Sequence, residues 1–123
     1  MGQGLDVGRR IVVSSPGSVA LTDEPLDPGT ILEGDPKTSA GEIASTVLPG
    51  GATFETGVWR CTPGVVTDVE ADETFVVISG RATIEHDGDS HDVGPGDVCV
   101  LPAGADTRWT VHETLTKIYV IVS

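Results

Sequence analysis

Four carboxylates fall within six residues, as Asp68, Glu70, Asp72 and Glu73. Successive side chains of an extended segment alternate between its faces. Asp68, Glu70 and Asp72 are therefore expected on one face, and Glu73 on the other with Phe75 and Val77. Three like charges at that spacing suit a hard cation such as Ca²⁺ or Mg²⁺. A solvated edge that discourages strand pairing is the simpler expectation. Glu73 keeps apolar company, and a carboxyl drawn into an apolar interior is desolvated, a condition that suits a general acid or base. The alternative is a buried Glu73 hydrogen-bonded to backbone or to Lys117. Trp59, Trp109 and Tyr119 are three of only five aromatic residues. They are expected either to pack ordinarily or to line a ligand cavity, with Lys117 or Arg108 pairing an anionic group.

The remaining reactive types carry less. His86 and His91 flank Asp87-Gly88-Asp89 and would face each other across a turn centred on Gly88-Asp89. Exposed surface histidines are the expectation there, not a metal pair. His112 stands at a strand end and nothing marks it as catalytic. Cys61 and Cys99 lack the CxxC spacing of a redox or zinc motif and have no histidine nearby in sequence. Two buried thiols in a cytoplasmic protein is the expectation.

The elements that position these groups are short strands. The chain has 123 residues, enough for one modest core. It carries 16 Gly and 8 Pro, which works against a helical protein, while Val, Ile and Thr number 17, 7 and 14. Strands are expected over Val58–Cys61, Thr74–Ser79, Arg81–His86, Ser90–Val93, Val98–Leu101, Thr107–Val111 and Leu115–Val122. Gly/Pro turns separate them at the spacing of a sandwich or closed barrel. Residues 14–51 are studded with turn formers such as Asp27-Pro28-Gly29 and Pro49-Gly50-Gly51, so an irregular arm laid over the core is expected, with a mobile extreme N-terminus. The net charge of −12 argues against nucleic acid or an anionic membrane surface as partner. No run of eighteen apolar residues spans a membrane, and Met1–Arg10 has no apolar signal core. A cytoplasmic location is expected.

Two blocks resemble the cupin superfamily. Glu73-Thr74-Phe75-Val76-Val77-Ile78-Ser79-Gly80 has the E-x6-G end of the first cupin motif. Pro95-Gly96-Asp97 through Pro102-Ala103-Gly104 fits the PGD-x4-P-x-G start of the second. Gly57-Val58-Trp59, Thr107-Arg108-Trp109-Thr110-Val111 and Thr116-Lys117-Ile118-Tyr119-Val120 look like one branch, the ureidoglycine aminohydrolase and ethanolamine-utilisation type. The segment Ile31 to Pro36 also looks like small bacterial members. The resemblance covers roughly residues 31–122. It implies an all-β, single-domain cupin barrel (a double-stranded β-helix, or jelly roll) over 31–123, preceded by an N-terminal arm over 1–30, and a homodimer.

Most metal-bearing cupins carry an H-x-H pair shortly before the first-motif Glu and another His after the second-motif Gly. Here residues 65–70 contain no His, and the second position falls on Thr107. Only Glu73 of the usual four ligands stands. The ureidoglycine branch would place its ligands at Thr67, Val69, Glu73 and Thr107, and valine cannot ligate. No metal cofactor is therefore expected; a rearranged site drawing on Glu73, Glu70, Asp72 and a histidine is the alternative. The functional expectation is a small polar or anionic metabolite bound in the barrel, with Glu73 as acid or base, Lys117 and Arg108 anchoring charge, and Trp59, Thr107, Trp109 and Tyr119 shaping the wall. Metal-independent hydrolysis or isomerisation is the implied reaction class; a non-catalytic sensor is the other reading.

Overall fold

The computed structural model describes the backbone of Leu5–Asp6 and all of residues 10–123. The expectation of a mobile extreme N-terminus falls on residues outside the described ones. Ten strands carry the fold: β1 (Leu5–Asp6), β2 (Thr22–Asp23), β3 (Ile31–Gly34), β4 (Thr38–Val47), β5 (Thr53–Cys61), β6 (Gly64–Val69), β7 (Asp72–His86), β8 (Asp89–Val93), β9 (Val98–Leu101) and β10 (Asp106–Val122). The protein is all-β, and among the described residues no helix is long and apolar enough to cross a membrane.

Two long, bent strands organise everything else. The first half of β7 pairs with the second half of β10 and with β9, while its second half pairs with the first half of β10 and with β8. On the other edge of β10, β5 takes Leu115–Val122 and β6 takes Asp106–Val111. The result is two sheets that share β7 and β10. One runs β4-β5-β10-β7-β9 and the other β3-β6-β10-β7-β8. This is a curled, cupin-type jelly roll, as expected. Gly80 makes the bend in β7: its φ is +86°, and a Cβ there would run into the Thr114 carbonyl oxygen. β10 turns opposite it through register irregularities between Val111 and Lys117.

The core lies between the two sheets. Phe75, Val77, Leu115 and Tyr119 come from one, and Val66, Ala82, Ile84, Trp109 and Val111 from the other. Each large apolar side chain buried there contributes about 1.5–3 kcal/mol.

Three expectations about elements change. Thr74–Ser79 and Arg81–His86 are one continuous strand through Gly80, and Thr107–Val111 joins Leu115–Val122 in the same way. Glycine at positive φ bends the ladder here without ending it. Ten residues of the supposed loop region, Thr38–Val47, form a full strand paired with β5. Their small side chains hide the periodicity, yet they permit close packing: a Cβ on Gly41 would meet the Ala20 carbonyl. The β7–β8 turn sits on Asp87 (φ 49°) and Gly88 (φ 82°), one residue earlier than expected. His86 therefore faces Asp89 and His91 faces Ile84, so the two histidines are not a cross-strand pair.

The arm is ordered where described. β2 pairs with Ser39 and Ala40 of β4. Asp27 accepts a hydrogen bond from the Gly29 N–H, opening a 3₁₀ turn over Pro28–Thr30. This turn brings the arm to the mouth of the barrel.

Candidate functional site

The alternation of β7 sends Glu73, Phe75 and Val77 inward, as the pleat requires. The same rule on β10 turns Thr107, Trp109, Lys117 and Tyr119 inward. Lys117 lies opposite Trp59 of β5 and Val77 of β7. Its ammonium donates to Glu73 Oε2 at 2.7 Å, and both side chains are only 7% exposed. Three aromatic faces surround the same nitrogen: the ring centres of Phe75, Trp59 and Trp109 stand 4.4, 4.6 and 4.8 Å from it. Trp109 packs edge-on to Trp59 at 5.9 Å and tilted against Phe75 at 5.6 Å. Burying an ammonium costs several kcal/mol. A charge-assisted hydrogen bond and three quadrupoles, about 0.5–2 kcal/mol each, offset that cost.

A second buried carboxylate stands on the other sheet. Glu70 is 6% exposed, and its Oε2 accepts from Thr107 Oγ1 at 2.6 Å and Trp109 Nε1 at 3.0 Å. The expectation of a solvated acidic edge fails for this residue. The register pairs Thr107 with Asp68 and Trp109 with Val66. Thr107 and Trp109 point inward, so Val66, Asp68 and Glu70 do too. Asp72 departs from that set: it belongs to β7, is exposed, and accepts from the Ala103 N–H at 2.8 Å. Asp68 reaches solvent in the cavity, and its carboxyl is pushed up to about 6. Burial is the main cause, followed by the charge of Glu70 and a hydrogen bond to it.

Above the cage lies a cavity of about 470 Å³. Trp59, Trp109 and Tyr119 wall it, Lys117 and Glu73 form part of its floor, and the arm contributes Glu24 and Asp27. Tyr119 donates its hydroxyl to Glu55 Oε2 at 2.9 Å. Burial first, then that bond and the Glu55 charge, drive the Tyr119 pKa upward. Two expected site residues do not line this cavity: Thr107, whose hydroxyl is spent on Glu70, and Arg108. Arg108 stands between two inward residues, so the pleat turns it outward, where it lies 3.6 Å from Glu33. Cys61 is fully buried, and its thiol is pushed up to about 11 by burial, the nearby Lys117 charge opposing. Such a thiol is not a nucleophile near neutral pH.

Known proteins share this fold. The model of the EutQ-like cupin domain matches residues 48–119. The chain belongs to the EutQ-like cupin family. No protein of curated function matches it significantly in sequence. A DUF861-family protein of unknown function from Pseudomonas syringae superposes with a TM-score of 0.75 at 25% identity, over 86% of this chain and 45% of that one. This chain thus spans less than half of the Pseudomonas protein. A putative ethanolamine utilization protein Q from Salmonella typhimurium superposes with a TM-score of 0.60 at 14% identity, over 85% and 94% of the two chains. A predicted oxalate decarboxylase from Thermotoga maritima does so at 0.63 and 12%, over 89% and 97%. These last two show the fold alone.

Cupins commonly hold a divalent metal, and the donor set of this EutQ-like cupin does not fit one. Among the described residues, no group of three or more His, Cys, Asp or Glu side chains has the spacing of a metal site. Glu73, Glu70 and Asp72 point to different places, so the rearranged site built from them does not assemble. One oxygen of Glu73 is taken by Lys117, and one of Glu70 by Thr107 and Trp109.

Sequence reasoning undervalued Asp68, Glu70 and Phe75. A signal existed: Val66-x-Asp68-x-Glu70 mirrors Thr107-x-Trp109 across the β6–β10 ladder. Glu24, Asp27 and Glu55 carried no sequence signal, because only the path of the arm and the β5 register bring them to the cavity.

Proposed function

We propose that this EutQ-like cupin binds a small molecule in the barrel, and that the ligand is cationic or neutral and polar, not anionic. The charge on the cavity wall carries this reading. Glu24, Asp27, Glu55, Asp68 and Glu73 line it against one base, Lys117, whose charge Glu73 and three rings already answer. An anion would meet four uncommitted or shared carboxyls and, among the described residues, no free cation. A small amine or polyol would find hydrogen-bond acceptors and an aromatic wall. The volume suits a metabolite-sized ligand.

The test is thermal stabilisation by a panel that includes 1,4-diaminobutane, glycerol and succinate at matched ionic strength. Binding raises the melting temperature in proportion to ln(1 + [L]/Kd). Saturable stabilisation by the amine or polyol, weakened in Glu55→Gln, is the expected result. Saturable stabilisation by succinate alone, lost in Lys117→Met, overturns the reading.

Hydrolysis of the ureidoglycine aminohydrolase type and isomerisation both need an acid or base at the ligand. Glu73 is committed to Lys117, which weighs against it as that group and favours a binding role. A cytoplasmic location and a homodimer belong to this proposal as well. Two unbridged cysteines support the first, and family resemblance supports the second. Light scattering at micromolar concentration measures the dimer directly.

A further inference from the structure

The first-motif Glu of a metal-bearing cupin gives its carboxylate to a cation at the barrel centre. Glu73 also gives its carboxylate to a cation, but that cation is the chain's own. Lys117 Nζ is within hydrogen-bond distance of Glu73 Oε2 and nearly equidistant from three ring centres. Three of the five aromatic residues in the chain are spent on this one nitrogen. The rings come from three strands and both sheets: Trp59 from β5, Phe75 from β7 and Trp109 from β10 beyond its bend. The pocket is therefore built by the tertiary fold. An ordinary lysine extends its ammonium into water; this one is 6% exposed.

We infer that the barrel centre is an ammonium-binding site, with Lys117 as its permanent occupant. The site has the two parts that ammonium recognition needs. A carboxylate supplies charge and a hydrogen-bond acceptor, and π-faces supply the rest of the shell without competing for metal coordination. Its ligand class is a primary alkylammonium ion, and deleting the lysine side chain opens it to one from solution. This inference does not depend on the nature of the ligand in the cavity above.

The experiment is chemical rescue. In Lys117→Ala the missing atoms correspond to a propylammonium ion. Propylammonium chloride is expected to raise the melting temperature of Lys117→Ala saturably and to shift its tryptophan fluorescence. Sodium chloride at the same ionic strength and 1-propanol are expected to do neither. Wild type and Lys117→Met, whose cage is filled, should respond only as far as the cavity above takes up the amine, and less than Lys117→Ala. Rescue no larger than the wild-type response, or than that by sodium chloride, overturns the inference. So does uptake by wild type of about one Mn²⁺ or Zn²⁺ per chain that Glu73→Gln abolishes.

If Lys117→Ala does not fold, NMR of wild type decides. A caged ammonium has ε-methylene protons moved upfield by ring currents and a slowly exchanging Nζ signal. A freely exchanging Nζ at ordinary lysine shifts overturns the inference. The rescue is read as the excess of Lys117→Ala over wild type, and the NMR is done without added amine, so their failure is separate from failure of the amine panel.

Discussion

Neutralising one partner of the Lys117–Glu73 pair should cost far more than removing both charges. In Glu73→Gln the ammonium stays 6% exposed among three rings with no counter-charge. In Lys117→Met the Glu73 carboxylate, 8% exposed, is stranded instead. Breaking a buried pair on one side typically costs about 3–5 kcal/mol. For a domain of this length that lowers the melting temperature by about 12–20 °C. The double variant Lys117→Met/Glu73→Gln buries no charge and retains a similar volume, so its loss should be smaller than either single loss. The coupling energy, the sum of the single losses less the double loss, is therefore expected to exceed about 3 kcal/mol. Urea unfolding at pH 7, followed by tryptophan fluorescence, measures all four corners of the cycle, because both tryptophans touch the cage. Losses that add to within about 0.5 kcal/mol would refute the reasoning, since they would mean that water screens the pair.

Other predictions concern different parts of the fold. Asp68 is pushed up to about 6, so the folded protein holds a proton that the unfolded chain gives up near pH 4. Its contribution to stability is complete below about pH 4 and lost as pH rises through about 6. Asp68→Asn imitates the protonated form, so it should match wild type at low pH and exceed it at pH 8. Full burial would make that excess about 3 kcal/mol, and the partial exposure of Asp68 reduces it to about 1 kcal/mol; an excess that does not change with pH would contradict the assignment. Gly80→Ala puts a Cβ against the Thr114 carbonyl at φ +86°, and calorimetry should show a loss of about 2–4 kcal/mol; a loss under about 1 kcal/mol would mean that the bend does not need glycine. Cys61 is fully buried and should react with a maleimide only on unfolding, whereas partly buried Cys99 should react slowly in the native state. Mass spectrometry of the labelled protein distinguishes the two.

The exclusion of Arg108 from the cavity is legible in the sequence itself. It stands between Thr107 and Trp109, and a period of two puts it on the opposite face. The inward position of Glu73 is legible in the same way, from its spacing to Phe75 and Val77. Strand β4 is not legible, because Thr38-Ser39-Ala40-Gly41 has no apolar alternation. Its assignment comes from the β5 ladder and from the close approach of the arm at Gly41. The role of Glu70 falls between these cases. Its neighbours suggest an acidic surface, and the direction of the face depends on which way β6 lies against β10.

By itself the sequence determined the all-β class, the corners at glycine and proline, and the Glu-x6-Gly strand that turns a carboxylate inward. Those features depend on local rules: the φ freedom of glycine, the fixed φ of proline and the alternation of the pleat. The tertiary structure decided what that carboxylate meets. Lys117 lies 44 residues from Glu73, and Trp59, Phe75 and Trp109 reach the same ammonium from three strands. Burial of that charge is tolerable only when the counter-ion and all three rings arrive together. Their meeting depends on bends at Gly80 and in β10 that carry two strands from one sheet to the other. No local pattern encodes that meeting, because it is a property of how the two sheets face each other.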